Sequence, residues 1–199
     1  MTLCEALPRE PHREGSIPVL ETKRLALRMP RLEDAKTMVA LANDRRIAEN
    51  TARIPHPYKL ADAESFIGGA NKGAADAVFL IMLHDKTVIG ACGVTALDDQ
   101  AELGYWLGVP YWGKGYATEA LHAVVDYAFT DLGHDALNAG ARVTNPASRR
   151  VLEKCGFQWT GVGLYRIRAI NSSAPIDRFR LERSIWSAIK GWGRMKRVS

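Results

Sequence analysis

Trp112-Gly113-Lys114-Gly115-Tyr116-Ala117-Thr118-Glu119 stands between an apolar stretch, Ala101–Val109, and a run with helical periodicity. In that run Ala117, Ala120, Leu121, Val124, Val125 and Ala128 follow the i, i+3, i+4, i+7 pattern, which predicts an amphipathic helix with one buried stripe. Ala101–Val109 (Ala-Glu-Leu-Gly-Tyr-Trp-Leu-Gly-Val) predicts a strand. The glycines let the backbone turn and bring successive N–H groups to one point. The first N–H groups of the helix lack internal partners and carry partial positive charge. Together they make an anion site suited to a phosphate or pyrophosphate, and Lys114 adds a cation. A tight strand-to-helix turn would use the same glycines, so the loop alone leaves both readings open. Its spacing excludes two phosphate loops. Gly-x-x-x-x-Gly-Lys-Ser/Thr is absent, and Thr118 stands where Gly-x-Gly-x-x-Gly needs its last glycine.

Upstream, residues 77–83 (Ala-Val-Phe-Leu-Ile-Met-Leu) and 87–95 predict two strands of a hairpin turned at His84-Asp85-Lys86. Residues 20–29 predict one half-buried strand. Residues 32–41, with Leu32, Ala35, Met38 and Val39 on one stripe, predict a helix. Residues 43–60 predict a helix fragment and a loop around Pro55-His56-Pro57-Tyr58, and 61–70 a further helix. Downstream, 136–143 predicts a strand. Asn145-Pro146 opens a helix to about Cys155, with Asn as N-cap and Pro at the first helical position, and Gly156 stops it. Strands near 157–163 and 176–182 and a short helix around Trp186 follow. Hairpins first, then strand–helix–strand units, predict a mixed α/β sheet with helices on both faces.

The 199 residues, 47% hydrophobic and 25% charged, suit one domain with a core of its own. We expect a loose N-terminal arm over 1–18, a single domain over 19–189 and a basic tail over 190–199 carrying Lys190, Arg194, Lys196 and Arg197. The longest apolar runs have seven residues, against the roughly 20 of a spanning helix, and the N-terminus has no signal-peptide pattern. Cys4, Cys92 and Cys155 are odd in number and far apart, so neither a disulfide framework nor zinc spacing arises, and a reducing cytoplasm is expected. His12, His56, His84, His122 and His134 show no i, i+4 pair, so no metal is expected. No Gly-x-Ser-x-Gly elbow is present, and Cys155 beside Gly156 reads as a packed thiol. A net charge of +5 suits an anionic ligand and is too mild to imply nucleic acid.

Three blocks in order carry a family resemblance. Glu21-Thr22-Lys23-Arg24-Leu25-Ala26-Leu27-Arg28 comes first. Glu102-Leu103-Gly104-Tyr105-Trp106-Leu107 with the loop Trp112–Ala120 comes second. Asn145-Pro146-Ala147-Ser148-Arg149-Arg150-Val151-Leu152-Glu153-Lys154-Cys155-Gly156-Phe157 comes third. From about residue 20 to 188 the chain resembles the GNAT superfamily of acyl-CoA-dependent N-acetyltransferases, and more narrowly its ribosomal-protein-alanine N-acetyltransferase (RimJ/RimL-like) branch. The resemblance implies a mostly antiparallel sheet of about seven strands with a splayed central parallel pair, 101–109 and 136–143.

It also implies a site. Backbone groups of Leu107 and Val109 would pair with the pantetheine arm of acetyl-CoA. N–H groups of Gly113, Lys114, Gly115, Tyr116, Ala117 and Thr118 would hold the pyrophosphate. Asn145 and Ser148 would face the cofactor, although Asn145 also suits a plain N-cap. Two positions depart from the superfamily pattern: Trp112 replaces a Gln or Arg, and Leu152 replaces a Tyr that protonates the leaving thiolate. The branch resemblance gives that role to Ser148. The Val109 N–H is a candidate for polarising the thioester carbonyl. Glu102 is the candidate base, through water, with an outward-facing strand carboxylate as its alternative. Loops Asn43–Leu60 and Leu164–Ile176 would select the acceptor, a protein N-terminal α-amine or a small-molecule amine. A monomer or homodimer is expected, with no membrane or nucleic-acid partner. A catalytically silent CoA-binding module is the competing class.

Overall fold

A computed structural model describes residues 17–70, 77–97 and 100–192. The expected N-terminal arm and basic tail lie for the most part outside these residues.

The centre of the sheet is set by β3 (Ala77–Leu83) and β4 (Val88–Leu97), whose apolar runs have both faces covered. Phe79, Ile81 and Ile89 join the larger core, with the stripe of α4 (Tyr116–Thr130). Leu80 and Ala91 point the other way, into a second core with Met38 of α1 (Ala35–Ala42) and Ile67 of α3 (Leu60–Ala70). The period of two thus places helices on both faces, as expected. The remaining elements are β1 (Leu20–Glu21), β2 (Leu25–Arg28), α2 (Arg45–Ala48), β5 (Gln100–Leu107), β6 (Ala136–Arg142), α5 (Pro146–Lys154), β7 (Gln158–Ile167), β8 (Ser172–Glu182) and α6 (Arg183–Trp192). The sheet runs β1-β2-β3-β4-β5-β6-β8-β7.

Every neighbouring pair is antiparallel except β5–β6. That parallel pair is joined only at Glu102↔Asn138 and Leu103↔Ala139. Beyond Leu103 the strands part, and residues that follow on each, Gly104–Trp106 on one and Gly140 and Arg142 on the other, line a cavity. The splayed pair implied by the resemblance is present.

Two expectations are corrected. Residues 20–29 form two short strands, because the Thr22 hydroxyl accepts from Leu25 N–H at 3.0 Å and turns the chain. The sheet therefore has eight strands among the described residues. Leu164–Ile176 is no loop. β7 and β8 continue through it as a hairpin, and only Arg168–Asn171 make the turn.

Arg28, at the end of β2, holds the start of α1. Its guanidinium donates to both oxygens of buried Asp34 at 2.8 Å, and Arg31 N–H adds a bond at 2.7 Å. Burial pushes the Asp34 carboxyl up, but the Arg28 fork and the Arg31 N–H outweigh it and hold it below its ordinary value. A depressed folded pKa means stability that is present above the unfolded value of ~3.9 and lost as pH falls through the folded one. Asp34→Ala is expected to lower unfolding free energy by ~2–3 kcal/mol at pH 7, because the half-buried Arg28 loses its partner. The difference between wild type and variant should shrink below about pH 4, measured by urea unfolding across pH.

Candidate active site

Gly113 and Gly115 adopt φ of 74° and 80°, backbone that glycine takes without strain. Gly115 is the N-cap of α4, so the loop closes directly onto the helix start. A cavity of about 400 Å³ lies there. Gly113, Gly115, Tyr116, Ala117 and Thr118 form one wall, Asn145 and Ser148 the other, and Leu107 lies between. Arg46, Arg150 and Lys154 bring positive charge to it. Backbone N–H groups at a helix start with three cationic side chains beside them suit a phosphate or pyrophosphate. Two expected residues stand apart from the lining. Lys114 places its ammonium 5.8 Å from the Tyr111 ring, and Val109 belongs to the 3-10 turn Val109–Tyr111 after β5. Trp112, where the superfamily pattern has a polar side chain, donates its indole N–H to the Leu107 carbonyl at 2.7 Å.

The first sequence block braces this loop. Glu119 accepts from the Thr22 hydroxyl at 2.7 Å, from Arg24 N–H at 2.7 Å and from Arg24 Nε at 2.6 Å. Arg24 Nη1 then reaches the Lys114 carbonyl at 2.9 Å, and its guanidinium lies 4.7 Å from the Tyr116 ring centre. Burial raises the Glu119 pKa, but the Thr22 and Arg24 bonds prevail and keep it ionised below its ordinary value. Thr22, Arg24 and Glu119 thus brace the loop and the first turn of α4. The resemblance marked these residues without assigning them this task.

A second cavity, of about 390 Å³, opens on the α1–α3 side of the splay. The two cavities share Asn50, Thr51, Tyr105, Trp106 and Ser148. Asn145 caps α5 by accepting from Ser148 N–H at 3.1 Å, so the cap reading of Asn145 holds, and it fixes Ser148. The Tyr105 hydroxyl donates to Ser148 Oγ at 2.9 Å. Burial pushes the Tyr105 phenol up to about 12, with the Ser148 bond pulling the other way. Tyr105 therefore keeps its proton across the neutral range. Leu152 is buried, lines this second cavity and offers no proton. Reading the sequence missed Tyr105, because nothing local marks a β5 residue as the partner of a serine 43 positions later.

Glu102 lines the second cavity with its side chain 24% exposed, and Arg53 Nη2 lies 3.6 Å from its Oε2. It therefore faces the cavity and is not an outward strand carboxylate. Cys155 donates toward the Thr118 carbonyl, and burial pushes its thiol up to about 12, as suits a packed thiol. No group of His, Cys, Asp and Glu among the described residues is arranged to hold a metal. No helix among them is long and apolar enough to cross a membrane.

A glycine cradle at a helix N-terminus, opening onto a splayed parallel pair with a second cavity behind it, fits the arrangement that the family resemblance implies. Residues 24–158 match the family model described as an acetyltransferase (GNAT) domain. The uncharacterized N-acetyltransferase p20 of Bacillus licheniformis is 33% identical over 150 residues, which cover 72% of this chain and 84% of that one. Among solved structures, a spermidine N-acetyltransferase from Vibrio cholerae in complex with CoA and spermine aligns with a TM-score of 0.70 at 22% identity, over 83% of this chain and 99% of that one. The microcin C7 self-immunity acetyltransferase MccE, in complex with acetyl-CoA and AMP, aligns with a TM-score of 0.68 at 22% identity, over 81% and 93%. The chain belongs to the GNAT acetyltransferase family and is an acetyl-CoA-dependent acyltransferase.

Proposed function

We propose that this chain transfers the acetyl group of acetyl-CoA to a primary α-amine by direct attack in a ternary complex, in the cytoplasm. The observation that carries the reading is the Tyr105–Ser148 hydrogen bond, 2.9 Å, in the wall common to both cavities. Ser148 Oγ accepts from Tyr105, so its own proton is available to the departing sulfur. The amine enters from the acceptor cavity and attacks the thioester carbonyl, and the C–S bond breaks. Ser148 protonates the thiolate and is reprotonated from Tyr105. Glu102 takes the proton lost by the amine through a water, and solvent closes the balance. Held reactants make positioning the main source of rate. The cradle residues Gly113–Thr118 would hold the pyrophosphate, and Leu107 and Val109 would offer backbone groups to the pantetheine arm.

The choice of an α-amine rests on its acidity and on the branch resemblance. A reference α-amine has a pKa of ~7.7–8.0 and a lysine side chain ~10.4, so near pH 7 the first is roughly a tenth neutral and the second under a thousandth. A site whose base is one carboxylate suits the first. Peptides with a free α-amine on a small first residue are expected to exceed, in kcat/KM, matched peptides offering only lysine. Glu102→Gln should lower both, and the lysine substrate more. Acetylation of lysine or a polyamine without α-amine activity would contradict this. A second reading, a small free amine as acceptor, fits within the same cavity of about 390 Å³.

A further inference from the structure

The acceptor-side cavity has an apolar body and an uneven set of charges. Met38, Ile54, Tyr58, Phe66, Trp106 and Leu152 are among its walls. The charged groups lining it, among the described residues, are Asp62, Glu102, Arg53, Arg142 and Arg168. Each carboxylate faces an arginine: Glu102 faces Arg53 at 3.6 Å, and Asp62 faces Arg168 at 3.5 Å. Arg142, at the end of β6 where the splay opens, is the remaining cation. Its Nη1 donates to the Glu49 carbonyl at 2.9 Å, while its Nε is buried with no hydrogen-bond partner.

A guanidinium keeps its charge at any working pH, and a buried donor without an acceptor is costly. A carboxylate in the cavity supplies the counter-charge that Arg142 lacks among the described residues, and is the acceptor a guanidinium prefers. A polycationic acceptor would meet the opposite situation, an excess of positive charge with each lining carboxylate already engaged. We infer that the acceptor is an amine that carries a carboxylate on a largely apolar body, and that Arg142 takes the carboxylate. This rests on the reading that the cavity receives an α-amine. The carboxylate could be the C-terminus of a small dipeptide or an acidic side chain next to a protein N-terminus.

Two matched pairs separate these sources and hold the α-amine constant. The first is Ala-Phe against Ala-Phe amide. The second is an amidated peptide beginning Ala-Glu against one beginning Ala-Gln. Release of CoA thiol gives kcat/KM for each, with spermidine as a fifth acceptor. The acid member of at least one pair should lead its neutral partner by about tenfold, the scale of a hydrogen bond to a charged group. Which pair responds identifies the source. Arg142→Gln should bring that ratio to within about twofold of one, and Arg142→Lys should retain part of it. The ratio is internal to each protein, so a general loss of rate does not hide it, and the wild-type ratio decides even if a variant fails to fold. Neutral members matching the acids in both pairs would overturn this inference and leave the α-amine reading standing. Turnover of spermidine with none of the four peptides would overturn both.

Discussion

Gly115→Asp is expected to give a folded protein whose melting temperature no longer responds to CoA. Wild-type protein with CoA at a hundredfold its Kd should gain ~2.7 kcal/mol by mass action. For a chain of this size that is a rise of roughly 5–10 °C. The variant brings two penalties to one place. The position has φ of 80°, so any side chain is strained there. A Cβ would also lie 3.3 Å from Arg24 Nη2, which draws the new carboxylate and the brace of the loop toward each other. Pairing with the new carboxylate would draw Arg24 off Glu119 and the Lys114 carbonyl, and would set a negative charge next to the backbone N–H groups proposed to hold the anion, where like charges cost several kcal/mol. Binding should weaken by about a hundredfold or more, enough to remove the shift. Gly115→Ala carries the strain without the charge and should retain a reduced response. A folded Gly115→Asp protein with a normal CoA shift would contradict the cradle.

Ser148→Ala should lose at least roughly tenfold in kcat while still binding CoA, since a positioned proton donor contributes up to ~10²–10⁴-fold. The start of α5 should survive the change, since Asn145 bonds the backbone N–H of residue 148, not its hydroxyl. Tyr105→Phe removes the group behind the serine and should give a smaller loss, because Ser148 can still reach the sulfur. If the two act as one relay, the double variant should be little worse than Ser148→Ala. The pH profile adds a check. With its pKa pushed up to about 12, Tyr105 stays protonated to well above pH 10, so an alkaline fall in kcat below that belongs to another group. Unchanged kcat in Ser148→Ala would return proton delivery to water.

The parts of this molecule legible in the sequence are those written locally. The stripe Ala120, Leu121, Val124, Val125 and Ala128 is buried as its spacing predicts, and Asn145 and Pro146 start α5 where cap chemistry requires. The glycine loop falls where strand and helix meet. Strand pairing was harder to read. Gly161, Gly163, Ser172, Ser173 and Pro175 are poor strand residues, yet β7 and β8 pair through them, because the partner strand decides what propensity leaves open. The side-chain pairs least visible in sequence join distant residues: Tyr105 with Ser148, and Arg24 with Glu119 across 95 positions. Neither spacing carries a local signal. Arg142 reads only as the last residue of a strand until the splay places it in the second cavity.

The most direct test of the central claim is the initial rate of CoA thiol release across a matrix of acetyl-CoA and an α-amine peptide lacking lysine, with the acetylated position read by mass spectrometry. The account predicts intersecting reciprocal plots, as a ternary complex requires, and one acetyl group on the α-amine for each thiol released. Parallel plots, or thiol release with the α-amine unmodified, would contradict it.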